Sequence, residues 1–195
     1  MASIVMASCS TADTSNANAP GTANAAIENI MTRCSVRQYT DQPVAQATLD
    51  TLLRAGMAAP TAANSQPWEF VVVNQPAVKD SLVAALPYGK PVENATVAIV
   101  VCGNMERTLE AEGRDYWIQD CSAATENILL AAHAVGLGAV WCGVYPQADR
   151  VKGVSKALNL PSNLVPLNVI AIGYPAGDNK VKDKWQPDRV HYNAF

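Results

Sequence analysis

Two short basic motifs are the most direct chemical signals in this sequence. Arg33 and Arg37 lie four residues apart with Ser35 between them, and Lys182 and Lys184 alternate near the C-terminus. Guanidinium groups match phosphate oxygens in a bidentate manner, so the first motif could present two of them and a hydroxyl to one anion. A solvated basic turn is the alternative interpretation. The motifs predict a local anion site in a chain whose formal net charge is −3.

A polar loop is the second candidate for chemistry. Residues 60–68 carry hydroxyl or amide side chains at Thr61, Asn64, Ser65 and Gln66, which can both donate and accept hydrogen bonds. Such groups, on a connection held by a rigid scaffold, suit recognition of a polar, uncharged edge of a ligand. An ordinary polar connection between a helix and a strand is the alternative interpretation of this segment.

A glycine-containing turn supplies the third candidate. Residues 138–146 are typical of a strand that runs into a turn, and Gly143 would let the backbone approach a flat ligand closely. Together with the basic motifs and the polar loop, this turn suits a ligand that is phosphorylated, polyhydroxylated and planar. FMN has all three properties, and the sequence therefore predicts a flavin site assembled from separate segments.

Apolar patterning predicts the elements that must position these segments. Helical spacing predicts a short helix capped by Asn24 and further helices at residues 43–57, 77–86, 115–135 and 151–158, with Gly136 as the cap of the longest. Runs rich in β-branched residues predict strands at 69–73, 95–102 and 165–174, and another begins at Gly138. The strands at 69–73 and 95–102 are expected to be covered on both faces, and residues 87–91 to form a loop. Without a βαβ repeat or a dinucleotide fingerprint, the predicted class is α+β, a central sheet packed by helices.

Composition and charge narrow the function classes. The chain has 195 residues, of which 49% are hydrophobic and 16% charged, which predicts one well-buried domain with surface buried against another subunit. A net charge of −3 gives no reason to expect nucleic acid or an anionic membrane as a partner. The five cysteines are dispersed without a CxxC or Cys/His cluster, so buried free thiols are expected rather than zinc or disulfides.

The first 24 residues differ from the rest of the chain. Small and polar residues dominate from residue 8 to residue 24, which predicts a flexible tail before a folded domain at 25–195. Residues 4–9, which end at Cys9, are similar to the end of a bacterial lipoprotein signal whose basic part is missing. A cytoplasmic protein is the expectation, and a bacterial envelope lipoprotein anchored to the membrane through Cys9 is the alternative.

The ordered set of motifs resembles the FMN-dependent nitroreductase family from about residue 25 to residue 195. Four segments carry the resemblance: Arg-Cys-Ser-Val-Arg-Gln-Tyr at 33–39, Ala-Pro-Thr-Ala-Ala-Asn-Ser-Gln-Pro-Trp at 59–68, Gly-Leu-Gly-Ala-Val-Trp-Cys-Gly-Val-Tyr-Pro at 136–146, and Gly-Tyr-Pro at 173–175 with the later lysines and His-Tyr-Asn at 191–193. The resemblance implies a nitroreductase-like fold with a central mixed or antiparallel sheet flanked by helices. It also implies a homodimer with a long central helix and FMN sites shared between the chains.

The resemblance assigns the basic motifs to the phosphate and to the pyrimidine end of the flavin. Arg33, Ser35 and Arg37 match the family's first FMN-binding motif, in which Arg33 would bind the phosphate and Arg37 would lie nearer the pyrimidine end of the ring. Lys182 and Lys184 match a basic C-terminal pair that reaches the phosphate.

The resemblance assigns the other two candidates to the flavin ring. Asn64 and Gln66 would contact the flavin of their own chain, while the backbone of Gly143 and Val144 would face the ring near N5. The flavin of the partner chain would be contacted by Pro60, Thr61 and Ala62.

The implied activity needs no catalytic acid or nucleophile from the protein, because the flavin N5 is the redox centre. The resemblance implies an NAD(P)H-dependent FMN oxidoreductase that reduces nitroaromatic, quinone or similar small acceptors by a ping-pong mechanism. The alternative is a flavin-binding, flavin-consuming or dehalogenating protein of the same fold with little NAD(P)H turnover.

Overall fold

The computed structural model describes residues 24–195, and its centre is a four-stranded sheet. The strands are β1 (Trp68–Val73), β2 (Val97–Asn104), β3 (Gly138–Gly143) and β4 (Leu164–Gly173), in the order β1-β2-β4-β3. Every pair of neighbouring strands is antiparallel. The predicted α+β class is therefore confirmed, and the sheet is of the antiparallel type.

Helices cover both faces of this sheet. In the described part of the chain they are α1 (Ala25–Thr32), α2 (Gln46–Met57), α3 (Pro76–Ala85), α4 (Lys90–Asn94), α5 (Tyr116–Ala134) and α6 (Ala148–Ala157). One apolar cluster, which includes Leu52 and Ile128, joins α2 and α5 to one face. A second cluster, which includes Leu82 and Val154, joins α3, α4 and α6 to the opposite face. Apolar burial on both faces holds the sheet rigid between the two helical layers.

The helix α5 has 19 residues and contacts all four strands. Its bounds lie one residue inside the predicted helix at each end. Gly136, which follows the C-cap residue Val135, adopts φ +78°. There the Leu137 N–H donates to Ala132 O over 2.8 Å and the Gly136 N–H donates to His133 O over 3.1 Å, which is the Schellman pattern. The predicted cap at Gly136 is therefore confirmed.

Two local expectations are wrong. β1 is not covered on both faces, because it lies at a sheet edge and Val72 is 37% exposed. Residues 87–91 are not all loop, because α4 begins at Lys90. Its Pro91 lies in the first turn, where the missing proline N–H costs no helical hydrogen bond. β2, by contrast, is buried at all eight positions, as expected of a central strand.

The predictions for the N-terminal tail and for a lipid anchor at Cys9 lie outside the described residues and stay predictions. Asn24 is the first described residue, and its side chain caps α1 by accepting a hydrogen bond from Ala26 N over 2.9 Å. Within residues 24–195, no helix is both long and apolar enough to cross a membrane. The same range contains no group of three or more His, Cys, Asp and Glu side chains placed to hold a metal ion. Its cysteines are free thiols.

Candidate functional site

The two basic motifs meet in one cavity of about 550 Å³, which we name the basic cleft. Arg33, Ser35 and Arg37 line it from the segment that follows α1, and Lys182 and Lys184 line it from the C-terminal tail. All five residues predicted for an anion thus share one cavity. The other lining residues are Cys34, Gln38, Ala176, Asp178, Asn179 and Lys180.

The segment that carries the first motif is held against β3. Ser35 forms an isolated parallel bridge with Ala139, and the Val36 N–H donates to Ala139 O over 3.1 Å. Val36 is buried, and a Cβ built on Gly138 would lie 2.6 Å from Val36 Cγ1. A side chain at position 138 would push the segment away, so the glycine lets the first basic motif reach the sheet.

The two arginines of the motif have different environments. The side chain of Arg33 is only 17% exposed, and its Nε lies 3.3 Å from Oε1 of Glu126 on α5. A guanidinium group carries five N–H donors, so this ion pair orients Arg33 and leaves other donors for an anion. Arg37 is exposed, and its Nη1 donates to Ser35 O over 3.2 Å.

A second cavity, which we name the strand-edge cleft, opens beside β3 with a volume of about 740 Å³. It shares Arg37 and Gln38 with the basic cleft, so the two cavities adjoin at these residues. A mainly apolar chamber beside a cationic one suits a ligand with a planar body and an anionic tail. The other residues that line the strand-edge cleft are Leu86, Pro87, Tyr88, Lys90, Pro91, Asn94, Val140, Trp141, Cys142, Gly143 and Arg150.

Gly143 and Val144 lie at the end of β3 and differ in access. Gly143 lines the strand-edge cleft, and a Cβ built on it meets nothing within 4 Å. Its carbonyl oxygen accepts a hydrogen bond from Nη1 of Arg150 over 3.2 Å. Val144 is fully buried, and its N–H donates to Leu167 O over 3.1 Å. The backbone at Gly143 is thus accessible to a ligand, whereas the Val144 amide is used within the fold.

Two buried groups beside Arg37, the Cys142 thiol and the Tyr39 hydroxyl, are neutral at neutral pH. Burial raises the pKa of the Cys142 thiol to about 11, and the positive charge of Arg37 acts in the opposite direction. Burial also raises the pKa of Tyr39 far above its ordinary value, with Cys142 adding to the rise and Arg37 opposing it. The Tyr39 hydroxyl lies 2.6 Å from Val36 O and 3.1 Å from Ala171 O, which it can donate to. Neither group therefore neutralises the positive charge of Arg37.

The polar loop lies at the opposite edge of the sheet from both clefts. It leads into β1, the clefts border β3, and β2 and β4 lie between these two strands. Gln66 borders a separate cavity of about 340 Å³ beside α2 and β1. One chain therefore does not bring the loop to its own clefts, and the predicted contact of Asn64 and Gln66 with their own chain's flavin has no support in this geometry. The predicted site residues that line neither cleft are Pro60, Thr61, Ala62, Asn64, Gln66 and Val144.

Several polar residues of the clefts were not predicted, among them Lys90, Asn94, Arg150 and Gln38. Lys90 and Asn94 lie on α4 and Arg150 lies on α6, and these helices approach β3 only through the tertiary fold. Gln38 directly follows the first basic motif, and its position beside Arg37 is the one local signal that could have identified it.

An antiparallel α+β sheet with a basic cleft joined to a mainly apolar one defines a class of small proteins equipped to hold a phosphorylated, planar ligand. Within that class, this chain belongs to the Nitroreductase family, whose sequence model matches residues 30–174.

Similar proteins of known sequence or structure agree with this membership. A protein of Methanothermobacter thermautotrophicus is 44% identical over 169 residues, which cover 87% of this chain and 87% of the relative. A crystal structure from Bacteroides thetaiotaomicron is 48% identical with a TM-score of 0.84, and the match covers 89% of this chain and all 100% of that one. Both carry the name "Putative NADH dehydrogenase/NAD(P)H nitroreductase". An FMN-dependent nitroreductase of Clostridium difficile R20291 is 30% identical with a TM-score of 0.80, covering 87% of this chain and 99% of that one.

Proposed function

We propose that this protein is an FMN-dependent oxidoreductase that accepts hydride from NADH or NADPH. It passes the electrons to nitroaromatic compounds, quinones or similar small acceptors in two alternating half-reactions. The observation that carries the proposal is the junction of the basic cleft and the strand-edge cleft at Arg37. Membership in the Nitroreductase family supports the class of reaction. The names of the relatives, NAD(P)H nitroreductase and FMN-dependent nitroreductase, support the electron donor and the cofactor.

The residues present fit FMN. The basic cleft offers guanidinium, ammonium and hydroxyl donors to a phosphate, and charge-assisted hydrogen bonds of this kind are the strong ones. The adjoining strand-edge cleft offers an apolar wall, and the absence of any atom within 4 Å of a Cβ built on Gly143 leaves the backbone accessible to a ring. When bound, FMN supplies the redox centre, accepting hydride at N5 and passing electrons to the acceptor.

Residues of this chain bind and orient the cofactor rather than exchange protons with the substrate. Arg33, Ser35 and the two C-terminal lysines hold the phosphate. Arg37 lies at the junction of the clefts. There it would place a positive charge beside the pyrimidine end of a bound flavin and so would favour the reduced, anionic form. Cys142 remains a neutral thiol because burial raises its pKa to about 11, so it does not weaken that charge.

A second copy of the chain completes the proposed site. The polar loop lies across the sheet from the clefts of its own chain. We therefore assign Pro60, Thr61 and Ala62 to the flavin of the partner subunit and extend the same assignment to Asn64 and Gln66. In this arrangement each flavin takes its phosphate contacts from one chain and its polar-loop contacts from the other.

Exposed apolar side chains support such a homodimer. Ile27, Ile30 and Met31 form an apolar stripe on α1 that is turned to solvent, with Ile30 52% and Met31 65% exposed. Trp185 and Phe195 of the C-terminal tail are also exposed. Contiguous exposed apolar surface is typical of a protein–protein interface, and a second copy of this chain would cover it.

A cytoplasmic location fits the proposal because NADH and NADPH are available in that compartment. A lipid anchor at Cys9 would place the enzyme in the bacterial envelope, where the identity of its electron donor would be undetermined. Fractionation of the cells that make the protein distinguishes the two locations.

Purified protein tests the proposed function. We expect a yellow protein with flavin absorbance that bleaches when NADH or NADPH is added without oxygen, and that recovers when a nitroaromatic compound or a quinone is added. Flavin that binds but does not bleach would favour the alternative, a flavin-binding protein with little turnover. A colourless protein that cannot be loaded with FMN would overturn the proposal.

A further inference from the structure

The polar loop is held in a backbone conformation that its residues do not favour. Ala63, Asn64 and Gln66 have φ values of +49°, +55° and +48°. Residues other than glycine rarely adopt this left-handed region, because Cβ lies too close to the following carbonyl oxygen. Asparagine tolerates it better than alanine or glutamine. A loop in which three of the four residues 63–66 have this conformation persists only where the surrounding structure holds it there.

The hydrogen bonds within the loop do not tie it to the rest of the fold. The Gln66 N–H donates to Thr61 Oγ1 over 3.2 Å, and Gln66 Nε2 donates to Asn64 Oδ1 over 3.0 Å. Both bonds join loop residues to each other, and the second orients the Asn64 and Gln66 side chains, which are exposed.

Asp120 of α5 ties the start of the loop to the core, while the end of the loop is tied to β2 by the Asn104 N–H, which donates to Pro67 O over 2.6 Å. Asp120 Oδ1 accepts a hydrogen bond from the Ala62 N–H over 2.9 Å. The residue is only 5% exposed, and in the described chain no cation lies within ion-pair distance of its carboxylate while Oδ2 has no hydrogen-bond partner. A buried carboxylate without a cation destabilises the fold, so a purely structural role does not explain it well.

We propose that Asp120 is a positioning residue that fixes the polar loop in its left-handed conformation, with Asn64 and Gln66 presented to the flavin of the partner subunit. A carboxylate suits this role because its hydrogen bond to a backbone N–H is charge-assisted, and hence stronger than a bond from a neutral acceptor. A strong bond is needed because the strained, left-handed backbone of the loop would otherwise relax away from Asp120. The contact of Asn64 and Gln66 with the partner subunit's flavin rests on the proposed function. The control of the loop conformation by Asp120 does not depend on that function.

Three variants test this role in the full-length protein. Asp120→Ala removes the acceptor for the Ala62 N–H, and Asp120→Asn keeps an oxygen acceptor of the same shape. Asp115→Ala is the matched control, because Asp115 is the N-cap residue of the same helix, is exposed, and its side chain makes no capping hydrogen bond. Hydrogen exchange of the amides of residues 62–66 reports the order of the loop with or without flavin. FMN titration gives the FMN dissociation constant, and steady-state kinetics give kcat and the KM for the acceptor.

We expect Asp120→Ala to speed loop exchange and to raise the FMN dissociation constant and the KM for the acceptor by about tenfold, the effect of one lost charge-assisted hydrogen bond. The kcat should change much less, because the flavin itself is untouched. Asp120→Asn should recover most of both effects, and Asp115→Ala should match the parent.

Two results would overturn the proposal. The first is unchanged loop exchange in Asp120→Ala or, if that variant does not fold, loop exchange in Asp120→Asn that is no faster than in the parent, because a neutral acceptor should hold the Ala62 N–H less strongly than a carboxylate. The second is loss of thermal stability with exchange and FMN affinity both unchanged after correction for the folded fraction, since this shows a structural role only. Failure of the parent protein to bind FMN would overturn the proposed function instead, and the exchange measurement would still decide the role of Asp120.

Discussion

Single residues of β3 decide whether the proposed site can form, and its two terminal glycines do so in opposite ways. A Cβ at Gly138 would lie 2.6 Å from Val36 Cγ1, whereas a Cβ at Gly143 would meet nothing within 4 Å and would project into the strand-edge cleft. The first glycine therefore serves the fold and the second serves the ligand. The two positions form a matched pair for experiment, because the substitution is the same and the strand is the same.

We predict that Gly143→Ala leaves the free energy of unfolding within about 0.5 kcal/mol of the parent, as for other substitutions with no new contact. It should raise the FMN dissociation constant by about tenfold or more, because a methyl group occupies space proposed for the ring. Gly138→Ala should lower the free energy of unfolding by about 1–3 kcal/mol through overpacking against Val36. Urea unfolding of the apoprotein and FMN titration measure the two effects. Equal destabilisation by both substitutions would contradict the division of roles.

Arg33 gives a second prediction at the residue scale. Arg33→Ala removes the phosphate contact and leaves Glu126 without its partner, so FMN retention should fall by about 10-fold to 100-fold, the effect of a lost hydrogen bond to a charged group. Arg33→Lys should lie between the parent and Arg33→Ala, because an ammonium keeps the charge and loses the fork geometry. Arg114→Ala, at an exposed arginine outside both clefts, is the control. FMN held as tightly by Arg33→Ala as by the parent would remove the phosphate assignment.

The residue scale is where sequence reasoning reaches furthest in this protein. The spacing of Arg33, Ser35 and Arg37 is local information, and the structure places these residues in one cleft with the C-terminal lysines. Lys90 and Arg150 line the adjoining cleft but come from helices whose approach to β3 depends on packing across the sheet. No spacing pattern in the sequence contains that information.

At the scale of elements, the polar loop shows what periodicity cannot reveal. Its prolines and amides predict a connection between α2 and β1, and the structure has one there. The sequence has no glycine in this loop, and only Asn64 is of a type that tolerates left-handed backbone, so nothing signals that conformation at Ala63 and Gln66. The strand order then places the loop at the sheet edge away from β3. That order is a property of the whole sheet, so the sequence could not show that Asn64 and Gln66 lie away from the clefts of their own chain.

The strain in this loop predicts opposite effects for two neighbouring substitutions. Ala63→Gly should leave stability unchanged or slightly higher, because relief of the left-handed conformation, about 1 kcal/mol, offsets the larger entropy of glycine in the unfolded chain. Ala62→Gly should cost about 0.5–1 kcal/mol, because φ at Ala62 is not in the left-handed region and only the entropy changes. Urea unfolding of the two apoproteins gives the comparison. Equal losses of stability would show that Ala63 is not strained in solution.

At the scale of the whole molecule, buried thiols make stability depend on pH. Burial raises the pKa of Cys102 from 9.0 to about 12 and that of Cys142 from 9.0 to about 11. The folded protein therefore holds these protons more tightly than the unfolded chain does. Stability from the neutral thiols is complete below pH 9 and falls as the pH rises towards 11 and 12. For the fully buried Cys102 the loss is roughly 1.4 kcal/mol per pH unit within that window.

We predict that urea midpoints fall as the pH rises above 9.0, and that the fall is shallower in Cys142→Ala because one of the raised pKa values is removed. Unfolding measured below and above this pH tests the prediction. A midpoint that does not change with alkaline pH in the parent protein would show that the thiols are solvated in solution.

The oligomeric state tests the whole arrangement, because the proposed site needs two chains. The apolar stripe of α1 has no cover in the described chain, and α1 leads directly into Arg33. Ile30→Glu puts a charge into that stripe and should shift a dimer towards single chains, because a buried unpaired charge costs several kcal/mol at an interface. The Ile30→Glu variant should lose flavin over the range of protein concentration in which it dissociates, because a single chain lacks the polar loop of its partner. Ser81→Glu, which adds the same charge at an exposed position of α3, should change neither property.

Light-scattering mass and flavin absorbance, followed together over protein concentration, decide the matter. A parent protein that holds FMN as a single chain would remove the shared site, and an Ile30→Glu dimer with full flavin would move the interface away from α1.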